Sequence, residues 1–479
     1  MNIEKQAVRA ISWVTGAKLA AQVVSWVATL LVIRLLTPAD YGLVATATML
    51  ASLIGTVAEL GLGASIVQAA STSPDALRKL TALSWLIGAA AAACLVLVSP
   101  IVAWFFADTR LVAVTAAMSL HFAISGVAVV PQALAARDMA FRRLALVEII
   151  SALVSSLVTL AIAWRGLGVW ALVAGPLLGA ATRTVLIVAL STSTARPLFN
   201  FSGIRAYLYF GGTVLLNRIV YQLASQSDIA VGSRALSSVD VGHYAVALQL
   251  ATLPMQKLMG IVNEVTLPTM SRLQHDLPRV HRRLIDGIAL LALVAVPLMW
   301  GISAVASELV SVVLGPKWLS AIYAVTVISL VIPGRMIATP IFTTALGLGN
   351  MRGDVRNSVA SAVIMPLGFL VGVVWGVDGL ATSWLVSVPL LLSLTLGRTL
   401  RAIGVPPLEI WRAVRGPILS GLAMYLAVAT VRGARLFDPG LPALAGLVGV
   451  GAVTYCGSAL LLARRNVLAM RAFYGALIG

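Results

Sequence analysis

Long apolar segments, each closed by a short polar turn, run from one end of the chain to the other. Charge-free stretches at 80–107, 287–307, 357–377 and 439–463 are each long enough to cross the ~30 Å hydrocarbon layer of a bilayer as a helix. The whole pattern predicts spans at about 12–36, 38–68, 80–106, 111–135, 145–164 and 169–192. It continues at 207–235, 238–267, 285–307, 319–346, 357–376, 379–398, 412–431 and 440–463. The expected fold class is therefore an all-α polytopic membrane protein with about fourteen transmembrane helices. Prolines inside spans (Pro131, Pro176, Pro254, Pro297, Pro333, Pro366 and Pro389) predict kinked or broken helices, common where a bundle encloses a cavity.

The chain writes one polar punctuation mark twice. Arg34-Leu35-Leu36-Thr37-Pro38-Ala39-Asp40-Tyr41-Gly42 stands 200 residues before Arg234-Ala235-Leu236-Ser237-Ser238-Val239-Asp240-Val241-Gly242. At that offset Gln22 falls on Gln222, Ser25 on Ser225, Arg34 on Arg234, Leu36 on Leu236, Asp40 on Asp240 and Gly42 on Gly242. Lys18 meets Arg218. A gap-free offset of this size marks a duplicated half. Six predicted spans separate the copies, an even number, so both halves keep one orientation and form parallel, pseudo-symmetric six-helix lobes. The expected division is an N-terminal lobe (1–192), a linker (193–206), a C-terminal lobe (207–400) and an extra helix pair (401–479). Thr37-Pro38-Ala39-Asp40 reads as a capping box with proline at the first helical position, and Ser237 with Asp240 repeats it. Arg34 and Arg234 then read as interfacial anchors, with direct contact to substrate as the alternative.

Charge sets the topology. Of 479 residues, 60% are hydrophobic and 11% charged, which excludes a soluble enzyme. The net charge of +17 would suggest nucleic acid in a soluble chain. Here most of the 34 Lys and Arg fall on one side of the spans. The other side holds only Arg34, Arg110, Arg165, Arg234, Lys317, Arg432 and Arg435, while Arg218, Lys257 and Arg335 lie inside spans. The rich side is the cytoplasmic one, so both termini are expected inside and no nucleic-acid partner is implied. The apolar run from Leu19 to Leu36 is long for a signal peptide and ends on an arginine turn, so no cleavable leader is expected. Cys94 and Cys456 stand singly in apolar spans and read as small core residues, with no spacing for a metal or a disulfide framework.

An ordered series of segments carries a resemblance. It begins with the run 34–68, including Glu59-Leu60-Gly61-Leu62-Gly63, then Pro131-Gln132-Ala133-Leu134 and Phe141-Arg142-Arg143-Leu144-Ala145-Leu146. Trp170-Ala171-Leu172-Val173-Ala174-Gly175, Asp228-Ile229-Ala230-Val231-Gly232 and Leu267-Pro268-Thr269-Met270-Ser271-Arg272-Leu273 follow, then Leu314-Gly315-Pro316-Lys317-Trp318. On these the chain resembles the polysaccharide-transporter (Wzx-type, colanic-acid-exporter-like) flippases of the multidrug/oligosaccharidyl-lipid/polysaccharide exporter superfamily. The resemblance implies export of an undecaprenyl-pyrophosphate-linked oligosaccharide repeat across the bacterial inner membrane by alternating access. It implies no cofactor, and as further partners the polymerase and the chain-length or export machinery of the same pathway. An ion-coupled multidrug exporter is the alternative within the superfamily.

The candidate chemistry lies on polar lines along apolar helices. Ser12, Thr15, Lys18, Gln22, Ser25 and Thr29 recur at spacings of three and four; Asn217, Arg218, Tyr221, Gln222, Ser225 and Asp228 repeat the line. In a bilayer such a line faces water or protein, so these are either walls of a central aqueous cavity or interhelical packing. Lys18, Arg218, Lys257 and Arg335 are deep cations, and intramembrane ionisable groups are functional suspects. With Gln22, Gln222, Ser25 and Ser225 they form the substrate-binding candidates, suited to a diphosphate. Internal pairing, such as Asp228 with Arg218 or Lys257 with Glu264, is the structural alternative. Glu59 and Asp228 are the ion-coupling candidates, and His121 reads as a satisfied core residue. No Gly-rich run leads into Lys-Ser/Thr, so no phosphate-binding NTPase loop is expected.

Overall fold

All regular structure among the described residues is helical. The computed structural model describes residues 21–58, 62–63, 66, 73–191, 196–200, 202, 217–464 and 466. In chain order these form α1 (Ala21–Leu35), α2 (Pro38–Ala58), α3 (Pro74–Phe105), α4 (Arg110–Arg137), α5 (Phe141–Trp164) and α6 (Val169–Ala189). Then come α7 (217–225), α8 (Ser227–Ala235), α9 (Ser238–Arg272), α10 (Leu277–Ala304), α11 (Ile322–Gly347) and α12 (Met351–Gly372). α13 (Gly376–Ile403), α14 (Pro407–Gly433) and α15 (Leu441–Leu462) complete the series. Ten segments among the described residues are long and apolar enough to cross a membrane, and shorter helices such as α1 accompany them.

Two compact units divide the chain, Met1–Gly242 and His243–Gly479. In the first, Leu43 and Ala47 of α2 pack with Val102 and Ala103 of α3, Leu111 and Val114 of α4 and Val173 of α6. In the second, Val280, Leu284 and Ile288 of α10 meet Ile341 of α11, Leu400 of α13 and Val414 of α14. The last two helices belong to this unit's core. Leu293 packs with Met424 and Tyr455, and the Tyr455 hydroxyl donates to the Leu293 carbonyl at 2.9 Å. Arg432 near the end of α14 closes a salt bridge to Glu308 at 2.7 Å.

The outer faces are apolar. Trp104 is 81% exposed, Val453 75% and Leu461 81%, side chains that water would penalise and hydrocarbon would not. This inversion corrects two expectations. Cys94 and Cys456 are free and exposed, not core residues, because a lipid-facing position accepts a small thiol as readily as a core does. His121 is also exposed, within 3.3 Å of the Ser125 hydroxyl one turn on, rather than enclosed in a core. Pro131, Pro176, Pro254, Pro297, Pro333, Pro366 and Pro389 all lie inside continuous helices, so no helix is broken at these prolines; interruptions fall at Gln226, between α7 and α8, and at Val305, just after α10.

Candidate functional site

Both copies of the repeated motif close as helix caps. The Thr37 hydroxyl donates to Asp40 Oδ2 at 2.6 Å, and the Asp40 N–H reaches Thr37 Oγ1 at 3.3 Å. The Thr37 N–H also donates to Asp40 Oδ2, at 3.1 Å. In the second copy the Ser237 hydroxyl donates to Asp240 Oδ2 at 2.6 Å and the Asp240 N–H to Ser237 Oγ at 3.2 Å. Each box satisfies donors that a helix start leaves open. Asp40→Ala should therefore cost about 1 kcal/mol and lower abundance in the membrane, with activity per molecule retained. Normal abundance with activity abolished would assign Asp40 a direct functional role instead.

The first turns of α2 and α9 cross at their glycines. A Cβ placed on Gly42 would stand 1.8 Å from the Ser238 carbonyl oxygen, and one on Gly242 would stand 1.7 Å from the Pro38 carbonyl oxygen. Pro38 and Ser238 are themselves one repeat apart, so the contact is reciprocal. Only a residue without Cβ allows two backbones this close. Around the crossing, Arg110 binds Asp108 through both carboxylate oxygens, at 3.0 and 2.7 Å, and reaches Ser238 Oγ at 3.3 Å. The Arg110 hydrogen bonds hold the Asp108 carboxyl below its ordinary value. The Arg234 guanidinium lies over the Phe105 ring, 5.5 Å from its centroid, while Arg34 is exposed.

The two polar lines have different surroundings. Along α1, Gln22, Ser25 and Thr29 are half-buried, and Ser25 Oγ accepts from Ser156 of α5 at 3.1 Å. Apart from Arg34 near its end, its exposed positions are apolar, among them Val23, Val27 and Leu31. Along α7, Arg218, Tyr221 and Ser225 are exposed and Gln222 is half-buried. They follow one helical face at spacings of three and four. The line ends at the helix break, where Gln226 Nε2 donates to Ser52 Oγ of α2 at 3.1 Å. Just beyond, Asp228 is 1% exposed, in the first turn of α8. Thr46 of α2 and Ser233 of α8 share a buried hydrogen bond at 2.7 Å.

Of the other candidates, Lys18 and Glu59 lie outside the described residues, as do the side chains of Lys257 and Glu264. Arg335, in the second unit, is half-buried on α11. Its guanidinium sits 5.0 Å over the Trp384 ring, whose indole N–H donates to the Tyr244 hydroxyl at 2.7 Å. No cluster of metal-ligating side chains occurs among the described residues. Sequence reasoning missed the glycine crossing, although Gly42 and Gly242 hold the same repeat position. It also missed the Arg110 link to Ser238, for which nothing in the pattern is a signal.

The family model described as "Polysaccharide biosynthesis protein" matches residues 31–323, more than half of the chain. The chain belongs to that family. This polysaccharide biosynthesis protein is 25% identical over 349 residues to the teichuronic acid biosynthesis protein TuaB of Bacillus subtilis, covering 72% of each chain. It is 24% identical to the succinoglycan biosynthesis transport protein ExoT of Rhizobium meliloti, covering 71% of this chain and 68% of that one. Its fold is similar to that of the lipid II flippase MurJ in an inward closed conformation, with a TM-score of 0.72, 14% identity and coverage of 98% and 100%. An inward-facing multidrug resistance transporter of the MATE family gives a TM-score of 0.60 and 14% identity, covering 81% of this chain and 98% of that one. The protein is thus a multi-pass membrane transporter of polysaccharide biosynthesis and not an enzyme.

Proposed function

We propose that this protein is a flippase. It moves a polyprenyl-pyrophosphate-linked oligosaccharide repeat unit from the cytoplasmic to the periplasmic leaflet of the inner membrane, for exopolysaccharide or lipopolysaccharide assembly. It works by alternating access of two six-helix lobes, 1–192 and 207–400, within about fourteen spans whose termini are both cytoplasmic. The observation that carries this reading is the extent of the fold likeness. Similarity to a lipid flippase runs through 98% of the chain, and similarity to the drug transporter through 81%. The exposed Arg218 on the polar line of α7 suits an anionic headgroup, whereas a cationic drug would be repelled. The polymerase and export machinery of the same pathway are the expected partners.

The drug-exporter reading has the MATE fold likeness in its favour, and one experiment separates the two. The gene is expressed in a strain lacking its own repeat-unit flippase, and surface polymer and cationic-drug resistance are measured together. Restored polymer without added resistance is expected; resistance without polymer would overturn the proposal. Reporter fusions after Arg143, Arg283 and Arg465 should read cytoplasmic, and those near Asp108 and Lys317 periplasmic. A periplasmic signal at Arg283 would remove the two-lobe arrangement.

A further inference from the structure

A cavity of about 510 Å³ opens in the first unit between α3, α4, α5 and the end of α6. Leu77, Pro131, Ile187 and Leu190 supply apolar wall, and Arg142 and Arg143 stand at its polar side. Both arginines are exposed, and neither is in an ion pair recorded among the described residues. We propose that this cavity is a binding site for a monoanionic glycerophospholipid of the phosphatidylglycerol type. Its phosphodiester sits on Arg142 and Arg143, and its upper acyl carbons lie on the apolar wall.

The cavity and the guanidinium pair select this ligand together. Its volume falls in the range of small-molecule sites, and its wall is made of membrane-spanning helices, so the occupant is amphiphilic. A free anion would leave that wall empty. Two guanidiniums form charge-assisted bonds to phosphate oxygens, and basic pockets between spans suit acidic lipid headgroups. Asp138, also on the lining, offsets one arginine, so the net local charge is that of one cation. That balance matches a phosphodiester better than a diphosphate. The site is built from helices other than α1 and α7, which carry the polar lines, so the ligand is a lipid of the surrounding membrane and not the transported substrate. The inference is independent of what the protein exports.

The test uses the full chain purified in neutral detergent. Bound lipid is counted by native mass spectrometry and thermal stability is measured in parallel. The probes are dioleoyl-phosphatidylglycerol, dioleoyl-phosphatidylcholine, inorganic phosphate and undecaprenyl pyrophosphate. Phosphatidylglycerol should bind and raise the melting temperature, and phosphatidylcholine and phosphate should do neither. Arg142→Gln/Arg143→Gln should weaken phosphatidylglycerol binding roughly 30-fold. Arg142→Lys/Arg143→Lys should keep most of it, and Arg352→Gln/Arg356→Gln in the second unit should leave it unchanged. If the glutamine pair misfolds, Leu134→Trp, which fills the apolar side and leaves both arginines, should abolish binding by itself. Undiminished phosphatidylglycerol binding in a folded cavity variant would overturn the proposal. So would an equal shift with phosphate alone, which marks a free-anion site, or binding only of undecaprenyl pyrophosphate, which marks a substrate site.

Discussion

Gly242→Ala should stop export while the protein still inserts in the membrane. The added methyl would meet the Pro38 carbonyl oxygen at 1.7 Å, and its counterpart on Gly42 would meet that of Ser238 at 1.8 Å. Both obstacles are backbone, so no side-chain rotation relieves them; the helix starts of α2 and α9 must separate. Overpacking of this kind costs roughly 1–3 kcal/mol. At about 2 kcal/mol the population of the crossed arrangement falls ~30-fold relative to any state in which the helix starts lie apart. The proposed alternating-access cycle needs both arrangements, so export should fail even where total stability survives. Gly42→Ala should do the same, since the contact is reciprocal. Gly301→Ala, where a Cβ meets nothing within 4 Å, should export normally. Abundance and surface polymer, measured in one strain, decide the matter. Wild-type export by the Gly42→Ala/Gly242→Ala double variant would show that the crossing has no part in transport.

The sequence made this region visible but not its meaning. The 200-residue offset exposed Thr37, Asp40, Ser237 and Asp240 as caps because capping is local chemistry, complete within three residues. The crossing of Gly42 and Gly242 is a tertiary contact, and a repeated glycine reads equally well as a turn. Apolar runs predicted helices throughout the described residues because a bilayer leaves a spanning chain little alternative. The same uniformity hid orientation about each axis: Cys94, Cys456 and His121 face outward, and hydrophobicity alone does not separate a core from a lipid face. Prolines did not mark the helix interruptions: Pro131 and Pro366 lie within continuous helices, and one interruption falls at Gln226, where a side-chain bond to Ser52 accompanies it.

Arg218→Gln should reduce export strongly, and Arg218→Lys should retain much of it. Arg218 is exposed on α7, in line with Tyr221 and Ser225, so its guanidinium is placed where a solvated anionic headgroup could reach it. Arg335 is less open to that use, being half-buried against Trp384, which in turn is anchored by Tyr244. A charge-assisted hydrogen bond contributes roughly 1.5–3 kcal/mol, so its loss should lower export about tenfold to a hundredfold at limiting substrate. Lysine keeps the charge but loses the planar fork, which predicts partial function. The repeat places Lys18 at the equivalent position, outside the described residues, and Lys18→Gln should behave like Arg218→Gln. The α1 line is a further constraint on this pairing. Ser25 is already engaged with Ser156, so Ser25→Ala should affect helix packing more than substrate. Export and membrane abundance are measured together in a flippase-deficient strain. Full export by the Lys18→Gln/Arg218→Gln double variant would show that these two cations do not hold the anionic headgroup and would shift attention to Lys257 and Arg335.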